Sequence, residues 1–184
     1  AECDDEQVAA GIALHHRTDA AFHRLPLFLE LYRDTAQSLL ARGVARGGAR
    51  GSAHVAVELL LDGVLTDDPA AARHYLAALA WTREAAGLLH WRQPDQAMRW
   101  DHLCSRLQEH GIPHDYRQPT VVAQRVERIL AHRPRLALSP TDARAVQAEI
   151  SALSERVTAS AAAIMADLRR RLDSAGEAVT TRRS

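Results

Sequence analysis

Four potential metal ligands crowd into one short run, Leu14-His15-His16-Arg17-Thr18-Asp19-Ala20-Ala21-Phe22-His23. His15, Asp19 and His23 recur at four-residue steps. At about 100° per residue each step drifts by only about 40°, so a helix would set the three along one face. His16, three residues before Asp19, falls near the same face. A second row, His54, Glu58 and Asp62, repeats the spacing among Val55, Val57, Leu59, Leu60 and Leu61. Imidazole nitrogen mixed with carboxylate oxygen suits Mn, Fe or Zn better than Ca or a thiolate-bound structural zinc. Binding requires neutral histidine, so affinity should fall at acid pH.

A segment as apolar as the second row should pack in the core, where an unpaired carboxylate or imidazole is costly. Two facing helices could pool these ligands around one or two divalent ions, as helical di-metal proteins do with inward-facing Glu and His. The same residues also admit an arrangement without metal. His15, Asp19 and His23 could hydrogen-bond along a half-exposed helix, with Glu58 or Asp62 paired to Arg17 or Arg24. Spacing alone leaves both open, because i,i+4 pairs of His and acid arise by chance in charged helices.

The elements that must carry these rows are helices. Alanine is the commonest residue, Leu and Arg are abundant and β-branched residues are few, which together favour helix. The expected fold class is all-α, one multi-helix domain of about seven to eight helices. The first helix should open at Asp4 or Asp5 and run to about His23, and a second should run from Pro26 or Leu27 to Arg42. Residues 43–51, Gly-Val-Ala-Arg-Gly-Gly-Ala-Arg-Gly, read as a flexible Gly/Arg loop. Ser52 would then cap a third helix to Leu65, and Asp68-Pro69 would open a fourth, reaching Trp81, with helix expected on through Trp91. Pro94, Pro119 and Ser139-Pro140 mark further starts, and the last helix meets no breaker until about Gly176. Residues 177–184 should fray. Val146, Ile150, Leu153 and Val157 give three-and-four spacing that allows the last helix either to join the core or to pair with a second copy as a homodimer.

Composition excludes several chemistries. All 23 basic residues are arginine, so neither a lysine Schiff base nor a phosphate-loop lysine exists. The 23 acidic residues cancel that charge and aromatics make up 4% of the chain, so neither nucleic acid nor a membrane is the expected partner. Cys3 and Cys104 form no metal or disulfide pattern, and the acidic start does not read as a signal peptide; a cytoplasmic setting is expected. No Gly-x-Ser-x-Gly nucleophile elbow occurs. Asp101-His102 and His114-Asp115 are adjacent pairs whose side chains would face about 100° apart on a helix.

The run Ala10-Gly11-Ile12-Ala13-Leu14-His15-His16-Arg17-Thr18-Asp19 resembles the Gly-x-x-x-His-x-x-x-Asp segment of the acyl carrier protein phosphodiesterases. Its continuation resembles their uncharacterised relatives, which carry His-His-x-x-Asp-x-x-Phe-His and then a His-x-x-x-Glu-x-x-x-Asp helix, matched here by His54, Glu58 and Asp62. The likeness covers roughly residues 8–80, with a faint echo at Arg133-Pro134-Arg135-Leu136. It implies an HD-like helical fold and divalent-metal-dependent cleavage of a phosphodiester, which in characterised members releases 4'-phosphopantetheine from holo acyl carrier protein. It implies His15, Asp19, His54, Glu58 and Asp62 as site positions, with His16 and His23 beside them. Family members also carry a further N-terminal segment with an apolar helix and an acidic residue near the site, so the resemblance leaves two readings, a chain that begins late or a site that is incomplete.

On that resemblance the metal set is His15, His16, Asp19, His23, His54, Glu58 and Asp62, holding Mn or Fe, or else Zn. Arg17 or Arg24 would neutralise phosphoryl charge and Asp19 would orient water or protonate the leaving oxygen. Arg42, Arg46 and Arg50, with Arg24, are candidate contacts to phosphate or to an acidic carrier surface, against the plainer role of solvated arginines. The competing functions are a helical Fe or Mn oxidase and a non-catalytic metal-binding or oligomerisation module.

Overall fold

A computed structural model describes residues 2–180; of the tail expected to fray, 181–184 lie outside the described residues. The described chain is all-α, 81% helical with eight helices and two very short strands. In order these are β1 (Glu2–Cys3), α1 (Glu6–Phe22), α2 (Pro26–Ala41), α3 (Arg46–Leu65), α4 (Pro69–Ala86), β2 (Leu89–His90), α5 (Pro94–His110), a 3-10 turn at His114–Arg117, α6 (Pro119–Ala131) and α7 (Pro140–Thr180). Five helices begin on a proline, whose fixed φ suits the first turn and whose missing N–H would find no intrahelical partner there. Asp5 Oδ1 accepts from the amides of Gln7 and Val8, and Asp68 Oδ1 from that of Ala70. At the head of α7, Ser139 and Asp142 cap each other's amides reciprocally.

The chain divides into two compact units. The first comprises the segment up to Ala20 and Thr66–Pro113. In it α4 packs on α5, β1 pairs antiparallel with β2, and Leu79, Ala85 and Cys104 are buried. The Gln108 amide ties α5 to α4 by donating to the Leu79 carbonyl at 2.7 Å. Cys104 is thus a small buried apolar residue.

The second unit, Ala21–Leu65 with His114–Ser184, packs α2, α3, α6 and α7 around one core. Phe28, Leu31 and Leu39 enter it from α2, Val57 and Leu60 from α3, and Val122, Val126 and Leu130 from α6. Of the two roles open to α7, its seam of Val146, Ile150, Leu153 and Val157 takes the first and is buried in this core, extended by Ile164. Burying four such side chains supplies roughly 1.5–3 kcal/mol each. The carboxylate of buried Glu149 is not stranded there, since it accepts from Ser38 Oγ at 2.6 Å and pairs with Arg42 at 3.4 Å.

The segment 43–51 departs from expectation. Only Gly43, at φ 85°, breaks the chain; α3 is already helical at Arg46, and Ser52, expected as its cap, lies buried inside it. Tertiary packing overrides glycine's weak propensity. The connection after α6 runs across this end of α3, so that a Cβ on Gly47 would meet the carbonyl oxygen of Arg135 and one on Gly51 would lie 3.2 Å from Leu130. Gly47 is a spacer for a close backbone approach, and Gly51 makes room for the Leu130 side chain of α6. Helix was expected on through Trp91, and α4 continues past Trp81 but ends at Ala86.

Candidate metal centre

His23 follows the last residue of α1 and sits in the turn before α2. The turn is held because Phe22 packs on buried Phe28, ring centroids 4.7 Å apart. From α3, His54 and Glu58 come to the same place. His23 Nε2 lies 2.9 Å and His54 Nε2 3.2 Å from a single oxygen, Glu58 Oε1. The two imidazoles stack nearly parallel, 5.0 Å apart at 5°. Phe28 stands edge-on to both, at 86° and 90°, and Tyr32 edge-on to His54 at 86°. This aromatic wall limits the ways the rings can turn.

Among the described residues, His23, His54 and Glu58 are the group whose donor atoms could hold a metal ion, all within 4.8 Å of one another. Two donors bonded to one ion at about 2.0–2.2 Å, with angles of about 90–110°, stand about 2.8–3.6 Å apart. The 2.9 and 3.2 Å separations fit that range. All three side chains are half-buried, so an ion could enter from solvent.

Burial alone would raise the Glu58 carboxyl, yet the hydrogen bonds and charge of His54 and then His23 outweigh it and hold the group below its ordinary value. Glu58 is therefore an anion that only accepts, and both Nε2 atoms face it as N–H donors. One turn further along α3, Asp62 behaves oppositely. Its side chain reaches solvent, but the surrounding protein strips water from the carboxyl and the Glu58 charge opposes ionisation, pushing it up to about 6.

Of the residues singled out by spacing, His23, His54 and Glu58 converge, with Asp62 in electrostatic contact through Glu58. His15, His16, Arg17 and Asp19 lie exposed on α1 within the first unit and are not members of the three-residue group. Arg24 is exposed in the turn after His23. Arg46 and Arg50, expected on a flexible loop, are exposed residues of helix α3, while Arg42 is engaged with Glu149. Sequence reasoning missed Phe28 and Tyr32, whose four-residue spacing on α2 was the available signal.

The fold is all-helical, and it brings two histidines and one carboxylate into a single cluster. Comparison of the chain with family models, with curated proteins and with solved structures gave no match. Among the described residues no helix is long and apolar enough to cross a membrane.

Proposed function

We propose that the chain is a divalent-metal-dependent phosphodiester hydrolase of the acyl carrier protein phosphodiesterase type, with an HD-like helical arrangement. The observation that carries this reading is the convergence of the His23 and His54 Nε2 atoms on Glu58 Oε1. Two imidazoles and a carboxylate form a donor set used for Zn, Mn or Fe, and three protein donors leave a coordination position open. An ion held there would acidify water and draw charge from phosphoryl oxygens. Asp62, one turn beyond Glu58 on α3, is the carboxylate that would take a proton from the attacking water and return it to the leaving oxygen. The resemblance supplies the substrate, the 4'-phosphopantetheine diester of a holo carrier protein.

The test is elemental analysis of purified protein, with His23→Ala, His54→Ala and Glu58→Gln alongside. Mn, Fe or Zn near one equivalent, lost in each variant, followed by metal-dependent release of 4'-phosphopantetheine from holo carrier protein, is the expected result. Protein that neither carries metal nor takes up added Mn, Fe or Zn overturns the reading and leaves the three residues as a hydrogen-bonded network.

A further inference from the structure

Arg50 stands one turn before His54 on α3. Arg50, His54, Glu58 and Asp62 therefore follow one another along one helix face, with about 6 Å of rise at each step. Several arginines are neutralised by acids, among them Arg42 by Glu149, Arg99 by Asp95 and Arg156 by Asp34. Arg50 is held differently. Its Nε donates to the hydroxyl of Tyr32 on α2 at 2.9 Å, and among the described ion pairs it has no carboxylate partner.

A hydroxyl orients a guanidinium without cancelling its charge. The bond at Nε occupies one of five N–H groups and leaves the fork of the other four facing solvent, in the geometry that matches two oxygens of a phosphate. Tyr32 also lies edge-on to His54, so the residue that steers Arg50 belongs to the wall of the metal-ligand cluster.

We infer that Arg50, oriented by Tyr32, is the specificity-determining residue of this centre, binding the non-bridging oxygens of a phosphate ester whose phosphorus faces the His23–His54–Glu58 cluster. The inference deepens the hydrolase reading and rests on it for the metal half. A neutral carboxylic ester has no anionic oxygen for the fork, so Arg50 favours phosphate esters over it. Tyr32 is a positioning residue: it acts through Arg50.

The experiment uses the full chain loaded with Mn and three probes, namely inorganic phosphate by titration calorimetry, bis(p-nitrophenyl) phosphate and p-nitrophenyl acetate. Arg50→Gln is expected to raise the Kd for phosphate and the KM for the phosphodiester about tenfold or more, with metal content as in the wild type and a smaller effect on acetate hydrolysis. Arg50→Lys, which keeps charge but not the fork, recovers part of the loss. Tyr32→Phe, which keeps the guanidinium and removes its tether, shifts KM the same way by less. Unchanged phosphate affinity in Arg50→Gln, equal losses on both esters, or no phosphate binding by the wild type overturns the inference. Protein without metal or hydrolysis whose phosphate affinity still depends on Arg50 overturns the hydrolase reading and upholds the anion site.

Discussion

Replacing Glu58 with glutamine separates the energy that this side chain contributes as a hydrogen-bond acceptor from the energy it would contribute as a metal ligand. In metal-free protein the carboxylate accepts from two imidazoles whose side chains are 29% and 41% exposed, its own being 35% exposed. At that exposure water screens the pairs, and the loss should be about 1 kcal/mol or less, since the glutamine oxygen still accepts from one ring. For a chain of this length that lowers Tm by roughly 2–4 °C. With an ion present at a hundredfold excess over its Kd, the wild type gains about 2.7 kcal/mol, because the unfolded chain does not assemble the three donors. The gain corresponds to a rise of about 5–11 °C. The assay is thermal unfolding of both proteins after chelation, then with added Mn or Zn. The wild type should shift by that amount and Glu58→Gln by almost nothing, against a small difference between the chelated proteins. A wild type indifferent to metal refutes the ligand assignment, and so does a variant that retains the full shift.

Three further outcomes follow from packing and charge. Asp62, raised from 3.8 to about 6, holds more protons folded than unfolded between those values, so stability falls as pH rises through that window and the loss persists at neutral pH. In chelated protein Asp62→Asn should therefore raise Tm at neutral pH and not below pH 3.8, with solvent screening keeping the gain near 1 kcal/mol; an equal gain at both pH values would show that charge is not the cause. Two glycine substitutions should have opposite signs in urea unfolding. Gly11→Ala, on α1 with nothing within 4 Å of the new methyl, gains about 0.5–1 kcal/mol, whereas Gly47→Ala meets the Arg135 carbonyl and loses about 1–3 kcal/mol. Leu153→Ala, fully inside the α7 seam, should lose about 2–5 kcal/mol by the same assay, and a loss under 1 kcal/mol would place α7 outside the core.

The helix starts marked by proline were legible in the sequence and the start of α3 was not. Each of Pro26, Pro69, Pro94, Pro119 and Pro140 acts locally, by φ and by a missing N–H, so its meaning does not depend on the rest of the fold. Gly47, Gly48 and Gly51 act at a distance. Their value is the room they give to residues 130–138, which lie some eighty positions later, and no local propensity reports it. The displaced boundary then hid a register. With α3 starting at Ser52, Arg50 belongs to a loop and has no fixed relation to His54; with α3 starting at Arg46, it becomes the first member of the four-residue row that runs to Asp62.

The same logic explains why one four-residue row lies within a single helix and the other does not. His54, Glu58 and Asp62 all lie within a single helix, so their common face follows from helical geometry, although spacing could not reveal which of them would share an oxygen with an imidazole. His15, Asp19 and His23 satisfy the same arithmetic, but α1 ends at Phe22, one residue before the third member. Phe22 is spent on Phe28, and the turn that this contact fixes delivers His23 to Glu58 of α3. A residue just past a helix end is thus placed by the core contact of its neighbour. Phe22→Ala should loosen His23 and weaken metal uptake while leaving all three donors in the sequence, and unchanged uptake in that variant would mean that His23 is positioned by the metal and not by the fold.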